Sequence, residues 1–195
     1  MTARISAGFC WEWTRRPQQG RLVPDVRIGS WHRPWNAHDD HLPRNVPAGS
    51  YWATDPRGFE QIGCIYTAQG FEYEWSGVIL GEDLVVRDGR FISQPSRSKD
   101  VAIIGTSDRP RIARNADRLI RNAYKVLLTR GLRGCLIYSV DEETQDFLRS
   151  LVPSALDTMP QEAPGVYSAT SRRRGHQSRT AESRTLQPSE PAELD

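Results

Sequence analysis

The chain has 195 residues, room for one ordinary domain and a tail. Its 26 basic and 24 acidic residues leave a formal charge of +2, so no global basic field advertises nucleic acid. Cys10, Cys64 and Cys135 are unclustered and sit in apolar runs, which argues against a disulfide framework and a zinc ribbon and reads as buried small hydrophobes in a reducing cytosol. With neither a basic-then-apolar leader nor an apolar run of membrane length, the expected place is the cytoplasm, with no membrane partner.

The first element is a strand over residues 4–13. Ile5, Ala7, Phe9 and Trp11 alternate there with Ser6, Gly8, Cys10 and Glu12. Because this strand begins almost at the first methionine, the chain is expected to be part of a larger parent. Residues 14–58 are rich in Pro, Gly, Arg, Asp and Trp, and only 25–28 look strand-like. Trp13, Trp31, Trp35 and Trp52 lie in or beside this stretch. Their area predicts an ordered insertion packed by its indoles, with a nucleotide-stacking surface as the alternative. His32, His38 and His41, with Asp39 and Asp40, fit no zinc spacing and read as a solvated loop, so no metal is expected.

Residues 61–67 and 75–81 are short, nearly continuous apolar runs, the pattern of parallel strands covered on both faces. Between them lies the turn 68–74. Asp88-Gly89 between two β-prone arms predicts a hairpin over 84–92, and 95–100 reads as a polar connection. A long helix follows, with Asp108 as N-cap and Pro110 in its first turn. Ile112, Ala116, Leu119, Ile120, Ala123, Val126 and Leu127 form its apolar stripe, and Gly131 is the expected C′ residue. Residues 135–140 read as a strand, and 141–152 as a closing helix capped by Asp141 and ended by Pro153. Apolar density then collapses. Residues 153–195 read as a disordered tail, in which Arg172-Arg173-Arg174 is a solvated basic run. The expectation is one α/β domain over 1–152, its sheet mainly parallel with flanking helices.

Two segments carry chemistry. In Thr67-Ala68-Gln69-Gly70-Phe71-Glu72 a glycine-bearing turn offers backbone N–H groups and then a carboxylate, which suits phosphates and ribose hydroxyls. The alternative is an ordinary strand-to-helix turn with Glu72 at a helix start. In Leu128-Thr129-Arg130-Gly131 a guanidinium stands at a helix end, where it either meets the helix dipole or stabilises a transferring phosphoryl group. The turn is expected at the carboxyl end of a parallel strand, where ligands of open α/β sheets gather.

With Arg4-Ile5-Ser6-Ala7-Gly8-Phe9-Cys10-Trp11, Trp31-His32-Arg33-Pro34-Trp35-Asn36 and Trp52-Ala53-Thr54-Asp55-Pro56, these segments resemble the second motor lobe of superfamily-one helicases. More narrowly, they resemble the DUF2075, or Schlafen group 3-like, DNA/RNA helicase domain, over about residues 3–152. The resemblance implies a RecA-like, P-loop NTPase second lobe with Arg130 as arginine finger. Thr67, Gln69, Gly70, Glu72, Thr129 and Lys125 would contact nucleotide or nucleic acid, with Arg121 a secondary candidate. The family pattern has an aspartate two positions after the glutamate; Glu74 stands here and keeps the charge. No Gly-x-x-x-x-Gly-Lys-Ser/Thr and no acidic pair ending an apolar strand are present. The chain is therefore expected not to hydrolyse ATP alone. ATP and Mg2+ would bind only with a separate N-terminal ATP-binding lobe, and DNA or RNA is the implied partner. The alternatives are a non-catalytic interaction or regulatory module on the same fold, and a truncated fragment without function.

Overall fold

The computed structural model describes residues 2–106 and 108–152. In chain order the elements are β1 (Ala3–Ala7), β2 (Val26–Ile28), β3 (Trp31–Arg33), β4 (Ile62–Gly63), α1 (Ile65–Ala68), β5 (Tyr73–Leu80), β6 (Leu84–Arg87) and β7 (Arg90–Ser93). They continue with α2 (Val101–Ile104), β8 (Gly105–Thr106), β9 (Arg109–Pro110), α3 (Ala116–Leu128), β10 (Gly131–Ser139) and α4 (Glu142–Ser150). The centre is a four-stranded parallel sheet in the order β10-β5-β1-β4. The fold is α/β with flanking helices, as the sequence predicts. No helix among the described residues is long and apolar enough to cross a membrane.

The chain leaves β1 toward β4, then returns past β1 to β5 and on to β10. Parallel crossovers share one hand, so a reversal of direction puts the connections on opposite faces. One face holds α1 and α3, where Ala68, Val78, Leu80, Ile120, Tyr124 and Leu127 are buried together with Trp52. On the other face Ala7, Val26, Trp35, Ile62, Cys64 and Ile79 form a second cluster, edged by Phe9, Trp11, Trp13 and Trp31. The long insertion thus wraps the β4 edge and sends one fully buried indole to each cluster. Trp35 Nε1 donates to Glu12 O at 2.9 Å and Trp52 Nε1 to Gln61 O at 3.1 Å, so both polar handles are satisfied. These two tryptophans are core. Residues 34–36 also exchange backbone bonds with Ile62, which closes that edge of the sheet.

Arg4 is the unexpected tie. It lies within the predicted strand yet is 3% exposed, and its guanidinium donates to Ala3 O (2.6 Å), Trp52 O (2.7 Å) and Asp55 O (2.6 Å). Burial lowers its pKa, and the carbonyls compensate part of the desolvation. The opposite edge strand, β10, is largely exposed among the described residues. Beside Ile5 and Trp75, Leu136 (64% exposed) and Tyr138 (43%) line an open apolar hollow of about 790 Å³.

Four expectations change. The run 61–67 is a strand only at Ile62–Gly63. Cys64 N–H donates to Thr67 Oγ1 at 3.0 Å, a capping arrangement that starts the short helix α1 instead. The long helix begins at Ala116 with Asn115 as N-cap, not at Asp108. Gly105, at φ +86°, turns the chain into the β8–β9 ladder, and the N–H groups of Arg111 and Ala113 bond Ile104 O and Ile103 O. Ile112 is consequently left 57% exposed and outside the stripe. Gly131 opens β10 rather than serving as a left-handed helix cap, for its φ is not positive. Residues 95–100, read as plain connection, contain a 3-10 turn, and Asp100 caps the unpredicted α2. The predicted tail lies outside the described residues.

Candidate functional site

The two segments singled out in the sequence meet at the amino ends of β5 and β10. Helix α3 ends where Thr129 follows Leu128, and its last carbonyls need donors. Thr129 Oγ1 lies 3.0 Å from Lys125 O and 3.1 Å from Val126 O, and Arg130 Nε donates to Val126 O at 2.9 Å. Arg130 also reaches across to the other segment. Its Nη1 donates to Phe71 O at 3.4 Å, and its carbonyl accepts from Tyr73 N–H at 3.1 Å. The guanidinium is half-buried and sits on the negative end of the helix dipole.

Opposite it, Gly70 has φ +85°, and a Cβ built there would meet nothing within 4 Å. Glycine is needed for the backbone turn, not for space. The turn leaves Gln69, Gly70 and Glu72 exposed, and Lys125 is exposed on the neighbouring α3. Gly70, Glu72 and Arg130 therefore share one rim. Arg121, earlier on α3, is engaged elsewhere, pairing with Asp117 and donating to Phe91 O. Thr67 stands apart. Its hydroxyl accepts from Cys64 N–H and lies 3.1 Å from Asn36 Oδ1, so it is occupied near the carboxyl end of β4. The turn as a whole does not stand at a strand's carboxyl end: the chain runs back through α1, and residues 69–72 lead into the amino end of β5.

The carboxyl ends of β1 and β5 flank the place where the chain reverses direction, the usual crevice for ligands in such sheets. Here it is filled. A Cβ on Gly8 would fall 1.7 Å from the Tyr124 hydroxyl. That hydroxyl accepts from Gly81 N–H at 2.8 Å and donates to Asp83 Oδ1 at 2.5 Å. Asp83 is 4% exposed, and burial raises its pKa. Beside it, burial pushes the Cys10 thiol up as well, and Tyr66 donates its hydroxyl to Asp100 at 2.8 Å. The void left between Gly8, Asp83, Asp100 and Tyr124 is about 20 Å³, the size of a single water. Sequence reasoning missed Tyr124 and Asp83. The spacing Ile120, Tyr124, Leu127 places Tyr124 in the apolar stripe, and that was the available signal.

No solved structure matches this chain. The uncharacterized protein YPL245W of Saccharomyces cerevisiae is 32% identical over 121 residues, a stretch covering 60% of this chain and 25% of the yeast protein. The chain thus spans about a quarter of that relative. The family described as Schlafen group 3, DNA/RNA helicase domain matches residues 1–141, including β1, the tryptophan-bearing insertion, the 69–72 turn and Arg130. The chain belongs to the Schlafen group 3 DNA/RNA helicase domain family.

Proposed function

We propose that this chain is the part of an ATP-dependent DNA/RNA helicase or translocase that faces the nucleotide from a second, RecA-like lobe. The observation that carries the reading is the hydrogen bond from the Arg130 guanidinium to Phe71 O, which seats the finger candidate on the turn that presents Gly70 and Glu72. An arginine at this rim stabilises charge on the γ-phosphate of an ATP held by a P-loop lobe; Glu72, with no ion-pair partner among the described residues, accepts from ribose hydroxyls. Gly70 offers its backbone N–H, whereas Gln69 N–H closes α1 on Ile65 O at 3.1 Å, and Lys125 and Thr129 flank the turn. Thr67, bonded into the start of α1, acts by fixing the turn. ATP and Mg2+ are cofactors of the combined lobes, and the site of action is the cytoplasm.

The test is phosphate release from ATP in the presence of single-stranded DNA or RNA. The chain alone gives no turnover. Supplying a P-loop lobe, in trans or by fusion, restores it, and Arg130→Ala lowers the restored rate by about three orders of magnitude, the scale of an arginine finger. Robust turnover by the chain alone would overturn the reading, as would an unchanged rate in Arg130→Ala. A second reading, a non-catalytic interaction module, is favoured by the open apolar hollow at Leu136 and Tyr138. In that case no P-loop lobe restores turnover.

A further inference from the structure

The insertion carries a surface that the nucleotide rim does not use. Two adjoining grooves, of about 660 and 420 Å³, run along residues 18–34 and 44–61 and share Arg21, Leu22, Pro34 and Glu60. Five arginines line them: Arg21, Arg27, Arg33, Arg44 and Arg57. Glu60 is the one carboxylate in their lining, and it is taken by Arg33 at 3.2 Å. Arg57 is held by Asp55, whose carboxyl it pulls down to about 2. Arg21 and Arg44 have no side-chain acceptor among the described residues, and Arg27 uses only Nε, on Pro24 O at 3.1 Å. Three guanidinium charges therefore stand uncompensated along one trough, in a chain whose overall charge is only +2.

The walls are formed rather than floppy. Gln18 and Arg21 exchange backbone bonds at 2.9 Å in both directions around Gln19 (φ 49°) and Gly20 (φ 73°), a tight turn that sets Arg21 at its exit. Arg27 and Arg33 are fixed by the β2–β3 ladder, and Arg44 precedes Asn45 in the left-handed region (φ 62°). A planar fork with five donors matches phosphate oxygens bidentately, and a row of such forks matches a chain of phosphates.

We infer that this trough binds the phosphodiester backbone of a single-stranded nucleic acid, with Arg21, Arg27 and Arg44 as the phosphate contacts. The inference rests on the nucleic-acid part of the proposed function and adds a second contact surface, separate from the Arg130 rim.

The test is fluorescence anisotropy with labelled oligo-dT and oligo-U of about 20 nucleotides, at salt from about 50 to 200 mM. The double variant Arg21→Glu/Arg44→Glu changes two exposed side chains without internal partners, so its melting temperature should match the parent's. It should bind at least about tenfold more weakly, and its salt slope should fall by about 1.4, two strand phosphates at about 0.7 each. Arg90→Glu/Arg118→Glu removes the same charge from exposed positions elsewhere and should shift affinity less than about twofold. Preference between the two oligomers separates DNA from RNA as the source of the phosphates. Unchanged binding in the trough variant would overturn the trough and leave the helicase reading standing. An equal loss in the control pair would reduce the effect to net charge and overturn it too. If the parent bound neither oligomer but bound anionic lipid vesicles, both the trough and the nucleic-acid part of the proposed function would fall.

Discussion

Tyr124→Phe is the sharpest probe of the plugged crevice. It removes one oxygen and leaves the ring, so packing on α3 is preserved. Two buried partners lose their bond: Gly81 N–H its acceptor, and Asp83 the donor at 2.5 Å. Each group left without a partner costs about 1–3 kcal/mol, which puts the loss at about 3 kcal/mol near neutral pH. That is a large share of the ~5–15 kcal/mol that holds a domain folded. The pH dependence carries a sign. Burial raises the Asp83 pKa, so its contribution is fully present below the ordinary carboxylate value and is lost as pH climbs through the folded value. Tyr124 opposes this shift by donating to the carboxylate, and the variant moves the folded value higher still. The stability gap between parent and Tyr124→Phe, measured by urea denaturation, should therefore be wider at about pH 7 than at about pH 5. A gap below ~1 kcal/mol at pH 7, or one that widens on acidification, would show that Asp83 does not depend on this hydroxyl.

Thr144→Val should cost about 2 kcal/mol in urea denaturation, because the hydroxyl accepts Val86 N–H at 2.7 Å in a buried place and valine strands that donor; Thr144→Ser should recover most of it. Gly63→Ala places a Cβ 2.3 Å from the Trp52 ring and should cost about 1–3 kcal/mol, with a shift in tryptophan emission as the readout. The Arg87 guanidinium grips both oxygens of Asp141, at 2.8 and 2.7 Å, and holds its carboxyl well below the usual range. That stabilisation is present above about pH 4 and is lost as pH falls through the depressed folded value, so the gap between parent and Asp141→Asn should close in acid.

Elements whose pattern is local were legible. The stripe on α3, Asp88-Gly89 in the hairpin, and Asp141 accepting from Thr144 N–H at the start of α4 all follow from spacing and capping chemistry. Where one short apolar run serves two structures, the pattern was silent. Residues 61–67 read as a strand, but the same short apolar run also serves a helix start, and the Thr67 hydroxyl decides for the helix. The start of α3 was misplaced because Gly105 redirects the chain through a hairpin only when Arg111 and Ala113 find carbonyls on α2. At the candidate site, the pairing of Arg130 with the 69–72 turn followed from the order of motifs in the family, since nothing in either segment names the other. The plug at Tyr124 depends on Gly8, Gly81 and Asp83, which are far apart in sequence, and no window along the chain contains it.

Arg4 has a consequence for anyone who would trim this protein. By appearance, residues 14–58 are an irregular excursion that invites cutting and bridging. Excising them would strand a buried charged group, stripped of the Trp52 and Asp55 carbonyls that hold it, and would uncover the edge of β4 that residues 34–36 close. Any shortened version therefore has to replace position 4 with an apolar residue in the same step. The excursion and that one side chain are a single structural unit.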